Sequence, residues 1–98
     1  MPYIILKAGK NLAPKVEEVL KDDLVSRQSI VVRDGDALGL DKETRFVLVE
    51  GSAEGVLRAE TLLSSAGCTA IKEDAEGLYR RFKEQEEDAA SGIGLIFG

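Results

Sequence analysis

The residues best suited to meet a ligand lie near the start of the chain, in Lys7-Ala8-Gly9-Lys10-Asn11. A glycine-containing turn between a strand and a helix presents backbone N–H groups at the positive end of the helix dipole, where a phosphate or carboxylate is favoured. With Lys15 following, Lys7, Gly9, Lys10, Asn11 and Lys15 are the candidate anion- or nucleic-acid-binding residues. Their spacing matches neither a P-loop nor a dinucleotide fingerprint, so a plain capped turn is the competing reading.

Other chemistry-bearing groups are less well placed. Tyr79-Arg80-Arg81-Phe82-Lys83 interleaves aromatic and basic side chains in a pattern that suits base stacking. On a helix, however, Phe82 falls on the inner stripe, and Arg80, Arg81 and Lys83 can pair with Glu76, Glu84 and Glu87 three or four residues away. Asp34-Gly35-Asp36-Ala37-Leu38-Gly39 has the look of a calcium loop, but Leu38 stands at position five and Arg45 at position twelve, where a bidentate carboxylate is required. It reads as a solvated turn, and no metal site is expected. Histidine is absent, which removes the usual general base and any imidazole-dependent triad. Cys68, the lone cysteine, follows a helix C-terminus, where the dipole opposes thiolate formation, so it reads as a small apolar residue. No catalytic residue is assigned, no cofactor is expected, and enzyme activity is the minority reading.

Composition sets the outer bounds. The 98 residues are 44% hydrophobic, without a low-complexity stretch, which implies a single domain over residues 1–98. Thirteen basic against eighteen acidic residues give a net charge of -5, which disfavours nonspecific attraction to nucleic acid. The imbalance is uneven, because residues 1–15 carry Lys7, Lys10 and Lys15 without an acid. No apolar stretch reaches the roughly 18 residues of a membrane span. The start Met1-Pro2-Tyr3-Ile4-Ile5-Leu6 lacks the basic region and cleavage site of a signal peptide. Together with the single cysteine, this fits a cytoplasmic protein.

The elements that must position these residues follow from periodicity. Tyr3-Ile4-Ile5-Leu6, Ile30-Val31-Val32 and Phe46-Val47-Leu48-Val49 read as strands, with Cys68-Thr69-Ala70-Ile71 as a weaker fourth. A first helix, N-capped by Asn11 with Pro14 in its first turn, buries Leu12, Val16, Val19 and Leu20 and turns Asp22 outward. A second starts at Gly51-Ser52, buries Val56, Ala59, Leu63 and Ala66 on a stripe widened by Leu57 and Leu62, and stops at Gly67. Asp74 caps a third, with Ala75, Leu78, Phe82 and Ala89 at helical spacing, ending at Ser91-Gly92. The segment between Asp34 and Thr44 is long for a hairpin and free to flap.

This order predicts an α+β two-layer sandwich of the ferredoxin-like βαββαβ type, a four-stranded antiparallel sheet with an additional C-terminal helix. In that arrangement both core helices pack on one face of the sheet. The strands are nevertheless apolar on both sides, so something must cover the second face. The candidates are the third helix, a second subunit, and the charge-free tail over residues 92–98, whose Ile93, Leu95, Ile96 and Phe97 would contribute roughly 6–12 kcal/mol if fully buried.

The stretch Ser29-Ile30-Val31-Val32-Arg33-Asp34-Gly35, followed by Arg45 through Leu63 with Glu50-Gly51-Ser52 at its strand-to-helix junction, resembles the second half of KH RNA-binding domains. Those domains share a strand, a variable loop, a strand ending in Glu-Gly-Ser or similar, and a helix with Val and Ala inward. A KH domain also clamps the nucleic acid backbone with a GXXG loop between two helices. Ala8-Gly9-Lys10-Asn11 has one glycine and follows a strand, so the resemblance assigns RNA contact to no residue. A CxxC metal-chaperone loop and the full aromatic pattern of an RRM are likewise missing.

Three functional expectations stand side by side. The first is a non-catalytic binding or self-association module, with a homodimer or protein partner on the open sheet face or tail. The second is an RNA- or anion-binding module using the N-terminal turn. The third is a small-molecule regulatory domain.

Overall fold

The computed structural model describes residues 2–84. Ala89, the Ser91-Gly92 helix end and the tail side chains Ile93, Leu95, Ile96 and Phe97 lie outside the described residues. Elements follow in the expected order. β1 (Tyr3–Gly9), α1 (Ala13–Leu20), β2 (Ser29–Asp34), β3 (Thr44–Glu50), α2 (Ala53–Ser65) and β4 (Thr69–Ala70) precede a helix, α3, that runs from residue 75 through residue 84. The sheet order is β2-β3-β1-β4 and every pair is antiparallel. β1 lies along β3 from Tyr3↔Glu50 to Gly9↔Thr44 and meets β4 only at Leu6 and Lys7. β2 lies along β3 from Ser29↔Glu50 to Asp34↔Arg45 and forms one edge.

The two-sided apolar strands divide into two cores by the strand period of two. Leu6 and Ala8 of β1, with Val47 and Val49 of β3, face α1 and α2 and pack with Val16, Val56, Ala59 and Leu63. Ile5, Phe46 and Leu48 face the other way and pack with Phe82, while Leu78 and Tyr79 flank them. α3 is therefore a cover of the second face, and Phe82, only 1% exposed, is its anchor. The strands needed two layers of apolar partners, and the chain supplies the second layer from its own third helix.

Several local expectations are corrected. Asn11 does not cap α1, because a 3-10 turn (Lys10–Leu12) intervenes and Leu12 occupies the N-cap position without a side-chain bond. The reason lies in the donors: an Asn11 cap would need the N–H of Ala13 or Pro14. The first is spent on the Lys10 carbonyl, and proline has none. Asp22 does not simply face solvent. Its carboxylate accepts the Leu24 and Val25 N–H groups at 3.2 Å and pairs with Arg58 at 3.0 Å, setting a 3-10 turn (Val25–Arg27) whose Val25 is fully buried. Leu57 does not widen the α2 stripe; it is 62% exposed.

The long connection after β2 is pinned rather than free. A 3-10 turn (Gly35–Leu38) drops Leu38 into the second core, and Arg81 donates to the Leu38 carbonyl at 2.7 Å. Gly35 is needed there because a Cβ would stand 1.8 Å from the Asp41 carbonyl oxygen. Asp41 closes the far end by accepting from the Glu43 N–H and the Thr44 hydroxyl.

Candidate functional site

Glu50 ends β3 on the same face as Phe46 and Leu48, so its carboxylate arrives beneath α3. Tyr79 donates its hydroxyl to one oxygen, and Lys83 donates to the other at 2.9 Å. Tyr79 and Lys83 are four residues apart and share one face of α3, which is why both reach the same acid. The Tyr79 ring lies against Tyr3, with centroids 4.3 Å apart, and the Lys83 ammonium sits 5.2 Å from the Tyr79 centroid. The Tyr79 hydrogen bond and then the Lys83 bond and charge hold the Glu50 carboxyl below its usual range, against the opposing effect of burial. The same bond pushes the Tyr79 phenol up. The cluster fastens α3 to the sheet with charge-assisted bonds.

Glu50 also borders a surface hollow. Ser29 is its partner on β2, and both line a hollow of about 440 Å³ together with Arg27, Gln28, Gly51 and Ser52. Gln28 closes its floor. Its Oε1 accepts the Ser52 N–H at 2.9 Å, its Nε2 donates to the Leu24 carbonyl at 3.0 Å, and Ser52 in turn accepts from Gly55 at 3.1 Å. The α2 N-terminus is thus capped from within by Gln28 and Ser52. Arg27 is turned towards Asp23 at 3.4 Å.

From this hollow the outer edge of β2 runs to Asp34. Among the described residues no strand pairs with it. Ile30 and Val32 border the first core and Val31 the second, each only partly buried. Proline is absent from the strand. Its charged residues are Arg33, which donates to the Val32 carbonyl at 2.9 Å, and Asp34, bound to Arg45 at 3.1 Å. An edge of this kind, apolar on both sides and without a paired strand among the described residues, is a template for another strand.

The N-terminal candidates are not gathered into one cleft. Lys7 is exposed on the second face, opposite Phe46 and Thr69. Lys10 and Asn11 lie in the exposed 3-10 turn, and the Asn11 amide oxygen occupies the space 2.6 Å from where a Gly9 Cβ would stand. Lys15 lies on α1, on the other side of the sheet, lining a groove with Glu18, Asp22 and Leu62. Cys68 is buried, and burial pushes its thiol up. No group of three or more metal-ligating side chains occurs among the described residues, and no described helix is long and apolar enough to cross a membrane.

Glu50 and the β2 edge were missed by sequence reasoning, though a signal existed. Phe46, Leu48 and Glu50 share a strand face, so the acid had to meet whatever covered that face, and the i, i+4 pair Tyr79 and Lys83 was the complementary donor set. No family model matches the chain, and searches of curated proteins and of solved structures return no similar protein.

Proposed function

We propose that the protein is a non-catalytic binding or self-association module whose working surface is the outer edge of β2. The observation that carries this reading is the six-residue edge strand with Ile30, Val31 and Val32 only partly buried along it. Burial of those side chains against a further strand would add to the two existing cores, and the strand's outward N–H and C=O groups would give the ladder. The carboxylates with identified partners support the same reading: Asp22, Asp34 and Glu50 each bind a cation on another segment, and Asp23 and Asp41 bond close by in the chain. The division of Lys7 and Lys15 between opposite sides of the sheet weighs against the anion-binding alternative.

Amide hydrogen exchange over residues 29–34 tests the reading. Protection that increases from low to high micromolar protein, or on addition of a binding partner, is the expected result. Rapid exchange of the outward-facing amides under every condition would overturn it.

A further inference from the structure

We propose that the occupant of the β2 edge is a second copy of this chain, joined by a two-fold axis normal to the sheet that passes midway between the two copies of Val31. This rests on the edge being the working surface and specifies its partner and register.

Two copies pairing edge to edge in antiparallel fashion are related by such an axis, which keeps the α3 faces of both on the same side. Side chains alternate, so only registers that oppose residues from the same face are allowed. Two of these use most of the strand. Centring on Val32 sets Arg33 against Val31 of the second copy and Asp34 against Ile30, which opposes charge to hydrocarbon. Centring on Val31 sets Val31 against itself, Ile30 against Val32, and Ser29 against Arg33 of the second copy. The apolar residues then meet apolar residues on both faces.

The Arg33–Ser29 pairing selects this register further. Ser29 is opposite Glu50 on β3, so Glu50, Ser29 and Arg33 of the second copy form one row across the interface. With strands about 4.8 Å apart, Arg33 and Glu50 would stand roughly 10 Å apart at their backbones, within the joint reach of their side chains over the small serine. A hollow of about 440 Å³ that Ser29 and Glu50 help to line adjoins this row. Each Glu50 oxygen carries one identified bond, from Tyr79 or Lys83, and has a further lone pair to offer. Arg33 would exchange its contact with the Val32 carbonyl for this carboxylate, and symmetry makes the exchange twice. A ladder this short lies at the weak end of specific interfaces, below about 1,200 Å².

Sedimentation equilibrium with site-directed cross-linking tests the proposal. The full chain is expected to dimerise at micromolar concentration. Val31→Cys in a Cys68→Ala background should form a disulfide dimer with oxidised glutathione. Val32→Cys in the same background should not, because it opposes Ile30 on the other face. Arg33→Glu, which brings two acids together, should weaken the dimer at least several-fold, whereas Arg33→Lys should retain it. Far-UV circular dichroism verifies that each variant is folded.

A dimer that cross-links better through position 32 than position 31, or that is indifferent to Arg33→Glu, would overturn the register while leaving the self-association reading intact. Protection of residues 29–34 that is independent of concentration and lost on truncation after Gly92 would assign the edge to the chain's own residues 93–98 and overturn the second-copy proposal. A monomer at high micromolar concentration whose residues 29–34 exchange rapidly would remove both readings.

Discussion

Glu50 has a role in holding α3 that a single substitution can test. As a carboxylate at the end of β3 it receives Tyr79 and Lys83 of α3, and only 13% of its side chain is exposed. A carboxyl whose folded pKa is depressed contributes stability that is fully present above its unfolded value, ordinarily about 4.5, and lost as pH falls through the folded value. Glu50→Gln should therefore destabilise the protein at neutral pH. The gap in urea stability between wild type and variant should close as pH is lowered through the carboxylate range. A gap that is constant with pH would show that the charge contributes nothing. Tyr79 works in the opposite sense: its raised pKa favours the phenol in the folded state, so that contribution is present at neutral pH and lost as pH rises through the folded value, above about 10. Glu50 was hard to read from the sequence because its partners lie about thirty positions downstream, and expectation paired Lys83 along its own helix. An acid on the sheet that is largely covered is a strong partner for both donors, since its bonds form mostly away from bulk water.

Among the elements, periodicity located every strand and helix core, while the connections escaped it. The strand segments Ile30-Val31-Val32 and Phe46-Val47-Leu48-Val49 lie within β2 and β3, and Val56, Ala59 and Leu63 of α2 face inward. The 3-10 turns were not legible, because each depends on one tertiary contact rather than on a repeat. Val25 enters the core only because Asp22 holds the turn before it, and Leu38 only because α3 offers the second core beneath it. The connection between β2 and β3 gives a sharp test. Gly35→Ala forces a Cβ into the Asp41 backbone, a contact no rotamer can relieve. Such overpacking costs typically about 1–3 kcal/mol. The expected outcome is a loss of urea stability of that order or more, with faster amide exchange over residues 35–44 as Leu38 and the Arg81 bond are released. Unaltered exchange there would mean that the turn does not depend on this close approach.

Taken whole, the molecule is a sheet clothed on both sides, with α1 and α2 on one face and α3 across the other. The need for a second cover followed from strands without alternation, and α3 meets it. Phe82 makes the point quantitatively. Truncating a buried phenylalanine costs about 3–5 kcal/mol, a large part of the 5–15 kcal/mol typical of a domain. Phe82→Ala should therefore lower the unfolding free energy by about that amount and expose the Ile5, Phe46 and Leu48 face to a hydrophobic dye. Near-wild-type stability without dye binding would show that α3 is not the principal cover. The edge of the sheet was less legible than its faces, because hydropathy reports which side chains are buried and says nothing of which backbone groups lack a neighbour.

β4 contains only two residues, and among the described residues it forms the opposite edge of the sheet from β2. Once β2 is occupied by its counterpart, the eight-stranded sheet so formed would end at both sides in β4. Each end presents a ladder of roughly 7 Å, too short to hold another strand against its ordering entropy. Growth into a filament needs an end that templates the next molecule as well as the first contact did. In the proposed dimer the brevity of β4 would therefore be a terminator, stopping assembly at two copies.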